Sequence, residues 1–144
     1  MNRRTVISLM FVFLSALFFL QGLSAQKKEN VEGVIFSFVD TVPEFVGGRD
    51  ALIAFLTNEM EFPEKASKQG IKKGKVYLEF VVKENGELVN IAVSKSTDKI
   101  FNKEAVRLLS IMPAWKPGVL NGNKVNSRYE FPIKFGYDCV LDSK

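Results

Sequence analysis

Apolar and polar residues alternate from Lys75 to Lys83, with Val76, Leu78, Phe80 and Val82 on one face and Lys75, Tyr77, Glu79 and Val81 on the other. This period of two is the mark of a half-buried strand. Asn85-Gly86 follows, a pair suited to the two positive-φ positions of a type I′ turn. A two-residue loop there sets Val82 against Val89, Phe80 against Ile91 and Leu78 against Val93. The apolar faces then coincide, and a slip by one residue would turn the second set to solvent. Downstream, Phe101, Ala105, Leu108, Leu109 and Met112 recur at helical spacing, with Asn102 as the expected N-cap and Pro113 as the stop. A last alternating run places Tyr129, Phe131, Ile133 and Phe135 opposite in sense to Arg128, Glu130, Pro132 and Lys134.

Three strands with a helix between the second and third predict an α+β fold. The crossover most simply lays the last strand beside the first, antiparallel to it, giving a three-stranded antiparallel sheet of order 2-1-3 packed by helices. Pro132 supports the edge position, because a strand proline belongs where its missing N–H points away from the sheet. By the same parity, the backbone groups of even-numbered residues face outward. Val76, Leu78, Phe80, Ile91, Val93, Leu108, Phe131 and Ile133 are the expected core.

Upstream, Leu52, Phe55, Leu56 and Met60 line one helix face after the break at Gly47-Gly48. A short second helix is expected between Phe62-Pro63 and Gly70. The apolar run Val34, Ile35, Phe36, Phe38 and Val39 reads as a short extra amino-terminal strand, and Ala114 to Asn126 as a loop.

The chain has 144 residues, room for one ordinary domain. Arg3 and Arg4 precede an uncharged stretch from Val6 to Leu20 with four Phe, and small residues at Ser24 and Ala25 follow. This is the pattern of an export signal, with residues 1–25 removed to leave Gln26, or retained as an anchor. Four regions are therefore expected: the signal at 1–25, an extension with its short strand at 26–42, a folded domain at 43–136 and a tail at 137–144. Membrane contact is expected only if the first segment is retained.

The formal charge is +4, and loss of Arg3 and Arg4 with no acid lowers it to about +2. Weak charge and export argue against nucleic acid as a partner. Cys139 is the single cysteine, so no intramolecular disulfide forms, and its place near the chain end suits a bystander thiol.

No His is present, which removes the commonest general base and metal ligand. No phosphate loop, paired-Cys motif or calcium-loop spacing occurs either. Glu59, Glu61 and Glu64 read as a solvated helix rim, Gly47-Gly48 as a turn, and Trp115 as a ring capping the core. No catalytic residue, cofactor or metal is assigned.

Phe62-Pro63, Gly70-Ile71, Gly74, Val76, Phe80-Val81-Val82, Asn85-Gly86, Glu104-Ala105, Pro113 to Gly118, Asn121-Gly122 and Phe131 to Phe135 occur in that order. Together they resemble the TonB carboxy-terminal domain, over roughly residues 43 to 136. Pro43, Phe45 and Gly47-Gly48 resemble the form common in Bacteroidetes. Phe62 stands where Tyr is more usual, and Lys72-Lys73 adds a residue before Gly74. The resemblance implies a periplasmic, non-enzymatic module that binds an extended peptide of a TonB-dependent outer-membrane transporter, or another envelope protein, along its last strand. That mode is β-augmentation.

The peptide-binding edge is then expected at Asn126, Ser127, Arg128, Tyr129, Glu130 and Phe131. Pairing would be strongest with Asn126, Arg128 and Glu130, and would skip the missing donor at Pro132. Further partner contacts are expected at Phe62, Pro63, Lys72 and Lys73. The Pro-rich spacer of full TonB proteins is missing, and the roughly 20 residues before the domain reach at most about 65–70 Å. An anchored, shortened energy transducer and a secreted structural domain that forms a homodimer through the same edge are the alternatives.

Overall fold

Val76, Leu78, Phe80 and Val82 all point inward from β1 (Gly74–Val82), the central strand of the molecule. The computed structural model describes Val31 and residues 33–136. The expectations for residues 1–25, Cys139 and the tail lie outside the described residues. In chain order, α1 (Gly48–Glu59) and α2 (Glu64–Lys68) precede β1 and β2 (Leu88–Ser96). A 3₁₀ turn at Lys99–Phe101 then leads into α3 (Asn102–Ser110), followed by β3 (Gly118–Leu120), β4 (Asn123–Val125) and β5 (Ser127–Phe135).

The main sheet has the order β2-β1-β5, antiparallel throughout, which is the 2-1-3 arrangement expected for the three long strands. The fold is thus α+β, with helices packed on the face that carries Phe80, Leu78 and Ile133. Leu52, Leu56, Ala105, Leu108 and Leu109 bury against that face. Of the expected core, Ile91 and Val93 are partly buried and the others are buried.

The hairpin register departs from expectation at its turn. Asn85 does not take a positive φ, and Gly86 does, at 87°. Gly86 N–H donates to the Lys83 carbonyl at 2.8 Å and Lys83 N–H to the Glu87 carbonyl at 2.9 Å. The loop is therefore three residues with glycine in the left-handed position. One extra loop residue slides the register, so Val82 faces Leu88 and Val81 faces Val89. Val89 consequently lies on the opposite face from Val82. Asn90, at φ 55°, forms a bulge that restores the expected pairing of Leu78 with Val93.

Three further departures concern element boundaries. Asp98 supplies the cap that was expected of Asn102: its carboxylate accepts from Ile100 N–H at 2.9 Å, and Asn102 is already helical. The segment expected to be a loop contains the β3–β4 hairpin, whose turn residues Asn121 and Gly122 both have positive φ. The Val34–Val39 run makes no regular strand: an isolated bridge joins Phe36 to Ser127, and bridges at Thr41 and Glu44 hold the segment after it.

Glu104, buried on α3, ties the helices together. Its carboxylate accepts from Arg107 Nε at 2.7 Å and from Glu61 N–H at 2.8 Å, and Arg107 also donates to the Glu59 carbonyl. Burial pushes the Glu104 carboxyl up, but the Arg107 and Glu61 hydrogen bonds and the Arg107 charge more than offset it, leaving the group below its ordinary value. Among the described residues, no helix is long and apolar enough to cross a membrane.

Candidate functional site

β5 pairs with β1 along its whole length, from Ser127 against Val82 to Phe135 against Gly74. Its other side is the outer edge of the sheet. Two alternations run along the strand together. Side chains of Ser127, Phe131, Ile133 and Phe135 are buried in the core, whereas Arg128 and Glu130 are exposed. Backbone groups alternate as well: the Arg128 N–H points away from β1, so Glu130 and Pro132 direct their backbone groups the same way. Pro132 costs the sheet no hydrogen bond there, which is why a proline is tolerated within nine paired residues.

The first part of this edge is engaged by the chain itself. Phe36 lies parallel to Ser127, donating its N–H to the Asn126 carbonyl and accepting from Arg128 N–H, both at 2.9 Å. The sequence reading did not anticipate this contact. The signal was the apolar run around Phe36, which had strand composition and no assigned neighbour. The next rung outward comprises the Arg128 carbonyl and the Glu130 N–H, and among the described residues no backbone group pairs with either.

The expected edge residues divide by what they touch. Asn126 accepts from Glu84 N–H through its side-chain oxygen at 2.9 Å. Arg128 pairs with Glu79 at 3.1 Å, and Glu130 accepts from Ser94 Oγ at 2.8 Å. Ser127 is fully buried beside Gly118, where an added Cβ would come within 2.6 Å of its hydroxyl oxygen. Tyr129 and Phe131 pack edge-on against Trp115, with centroids 5.9 and 6.0 Å away. The side chains of Arg128 and Glu130 thus lie over the solvent face of the sheet, and the odd residues hold the strand to the core.

Phe62, Pro63, Lys72 and Lys73 lie elsewhere. Phe62 meets Phe101 at 5.6 Å, and Phe101 stacks on Phe135 at 4.8 Å. The Lys72 carbonyl borders Gly136. This group belongs to the far end of β5, about 25 Å along the strand from Ser127 at the usual rise per residue. Beside the near end, an open groove of about 700 Å³ runs between Thr41, Pro43, Lys116, Val119, Lys124 and Tyr129.

Trp115 is buried among Phe45, Phe80, Tyr129 and Phe131, consistent with a core-capping ring. Among the described residues, no group of three or more His, Cys, Asp or Glu is arranged to hold a metal ion.

The structure is thus a three-stranded antiparallel sheet backed by helices, with β2 and β5 as its outer strands. The profile of the family described as Gram-negative bacterial TonB protein C-terminal matches residues 58–137, and the chain belongs to that family. Domains of this family are interaction modules of the cell envelope that act with outer-membrane transporters. A similar solved structure is the solution structure of the TonB carboxy-terminal domain of Helicobacter pylori, 19% identical, covering 65% of this chain and 95% of that one with a TM-score of 0.44. No curated protein matches the chain.

Proposed function

We propose that this protein is a periplasmic TonB-like binding module that pairs an extended peptide of an outer-membrane transporter with the outer edge of β5, in support of TonB-dependent transport. The observation that carries the reading is the Phe36 bridge: a strand-like segment already uses the outward groups of Asn126 and Arg128. An edge that accepts one strand has the spacing and direction of donors to accept another. On this reading affinity comes from the outward backbone groups of Arg128 and Glu130, and the role is binding rather than catalysis. Residues 1–25 act as a cleaved export signal, which an intact mass beginning at Gln26 checks and one beginning at Met1 contradicts.

The test separates backbone from side chain at one position. Glu130→Pro removes the outward donor, and Glu130→Ala removes only the carboxylate. Titrated with amino-terminal plug peptides from the host's transporters, the proline variant should bind about fivefold more weakly, the worth of roughly one net backbone hydrogen bond. The alanine variant should stay near wild type. Equal binding by the wild-type and proline chains, with circular dichroism showing both folded, contradicts edge pairing.

A further inference from the structure

Residues 33–44 cross two surfaces with unequal grip. Between Asp40 and Glu44 the segment is held firmly. Asp40 and Thr41 N–H both donate to the Val119 carbonyl, Val119 N–H returns to Thr41, and Glu44 and Lys116 exchange both backbone bonds. The Lys116 ammonium pairs with the Glu44 carboxylate at 2.9 Å, and Asn121 N–H donates to the Asp40 carboxylate at 2.7 Å. Ahead of Asp40, among the described residues, Phe36 makes two backbone bonds, one to Asn126 and one to Arg128. Val34 and Phe38 are 70% and 89% exposed and Ile35, Phe36 and Val39 are half-buried, so partial apolar burial accompanies those two bonds. The chain is thus held by more hydrogen bonds at 40–44 than at 36.

We propose that residues 33–37 are a built-in competitor for the binding edge, a detachable strand that an incoming transporter peptide displaces. This rests on the reading that β5 is the peptide-binding edge. The ladder itself supplies the route. In parallel pairing, the rung after Phe36 needs a residue two positions on to accept from Glu130 N–H and donate to the Arg128 carbonyl. Phe38 occupies that position in sequence, yet it leaves the edge and stands exposed. An incoming strand therefore begins at the open Arg128–Glu130 rung and extends toward Asn126 by replacing Phe36. The anchor at Asp40–Glu44 keeps the displaced segment close, so it competes as an intramolecular ligand at high effective concentration. Weak transporter peptides are thereby kept off, and the edge is shielded from pairing with other copies.

Phe36→Pro in the full exported chain tests this, because proline removes the donor to Asn126 and leaves the 40–44 anchor intact. Arg128 amide exchange should accelerate about tenfold or more, while Tyr129 and Phe131, bonded to β1, keep their protection. A labelled synthetic peptide of residues 33–41 should bind the variant at least about tenfold more tightly than wild type, and transporter plug peptides should gain similarly. Unchanged exchange at Arg128, or equal affinity of both chains for the 33–41 peptide, overturns the proposal. If the variant captures the 33–41 peptide and neither chain binds any plug peptide, the competitor stands and the transporter reading fails.

Discussion

The dipeptide Asn-Gly occurs twice and builds two different turns. At Asn121-Gly122 both residues take positive φ in a two-residue hairpin, and at Asn85-Gly86 only the glycine does. Local chemistry allows either outcome, so the sequence pointed correctly to a turn at 85–86 and missed its length. What separates the two is a partner far along the chain: Trp115 N–H donates to the Gly86 carbonyl at 2.8 Å. The Trp115 carbonyl also sits where a Cβ on Gly86 would be, whereas nothing lies within 4 Å of one on Gly122. Gly122→Ala should therefore cost only the left-handed strain, about 1–2 kcal/mol. Gly86→Ala adds displacement of the Trp115 backbone and should cost at least about 1 kcal/mol more. Urea unfolding of the two variants checks this, and equal losses contradict the account of the turn.

The two longer helices were legible from their stripes of apolar residues, with Leu52, Leu56, Leu108 and Leu109 all in the core, and α2 from Pro63 and Gly70 at its ends. The start of α3 was less so, since a 3₁₀ turn moves the cap back to Asp98, and periodicity does not register a lead-in of three residues. The Glu104–Arg107 clamp was also hidden, because Glu104 looks like any solvated helix acid until its contact with Glu61 is seen. Its folded-state pKa is depressed, so its contribution is present above the unfolded carboxylate value and is lost as pH falls through the folded one. At neutral pH, Glu104→Gln should reduce stability by roughly 1–3 kcal/mol. The gap between wild type and variant should narrow below about pH 4. Urea midpoints measured across pH 7 to pH 3 report this, and a gap independent of pH contradicts the charged clamp.

For the whole molecule, the sheet order followed from one proline and one crossover, both of them general consequences of backbone chemistry. The Phe36 contact did not, because it joins residues about ninety positions apart through a single bridge, and neither alternation nor turn chemistry encodes such pairing. It changes how the edge works: part of the expected peptide site is engaged, and the open rung lies at Arg128 and Glu130. The central claim is that a transporter peptide adds as a strand at that rung. Amide hydrogen exchange of the isotope-labelled chain, read by NMR with and without a bound plug peptide, tests it most directly. Glu130 N–H should become protected about tenfold or more on binding, while Tyr129 and Phe131, already bonded to β1, remain unchanged. Saturating peptide binding with no added protection at Glu130 would contradict the account.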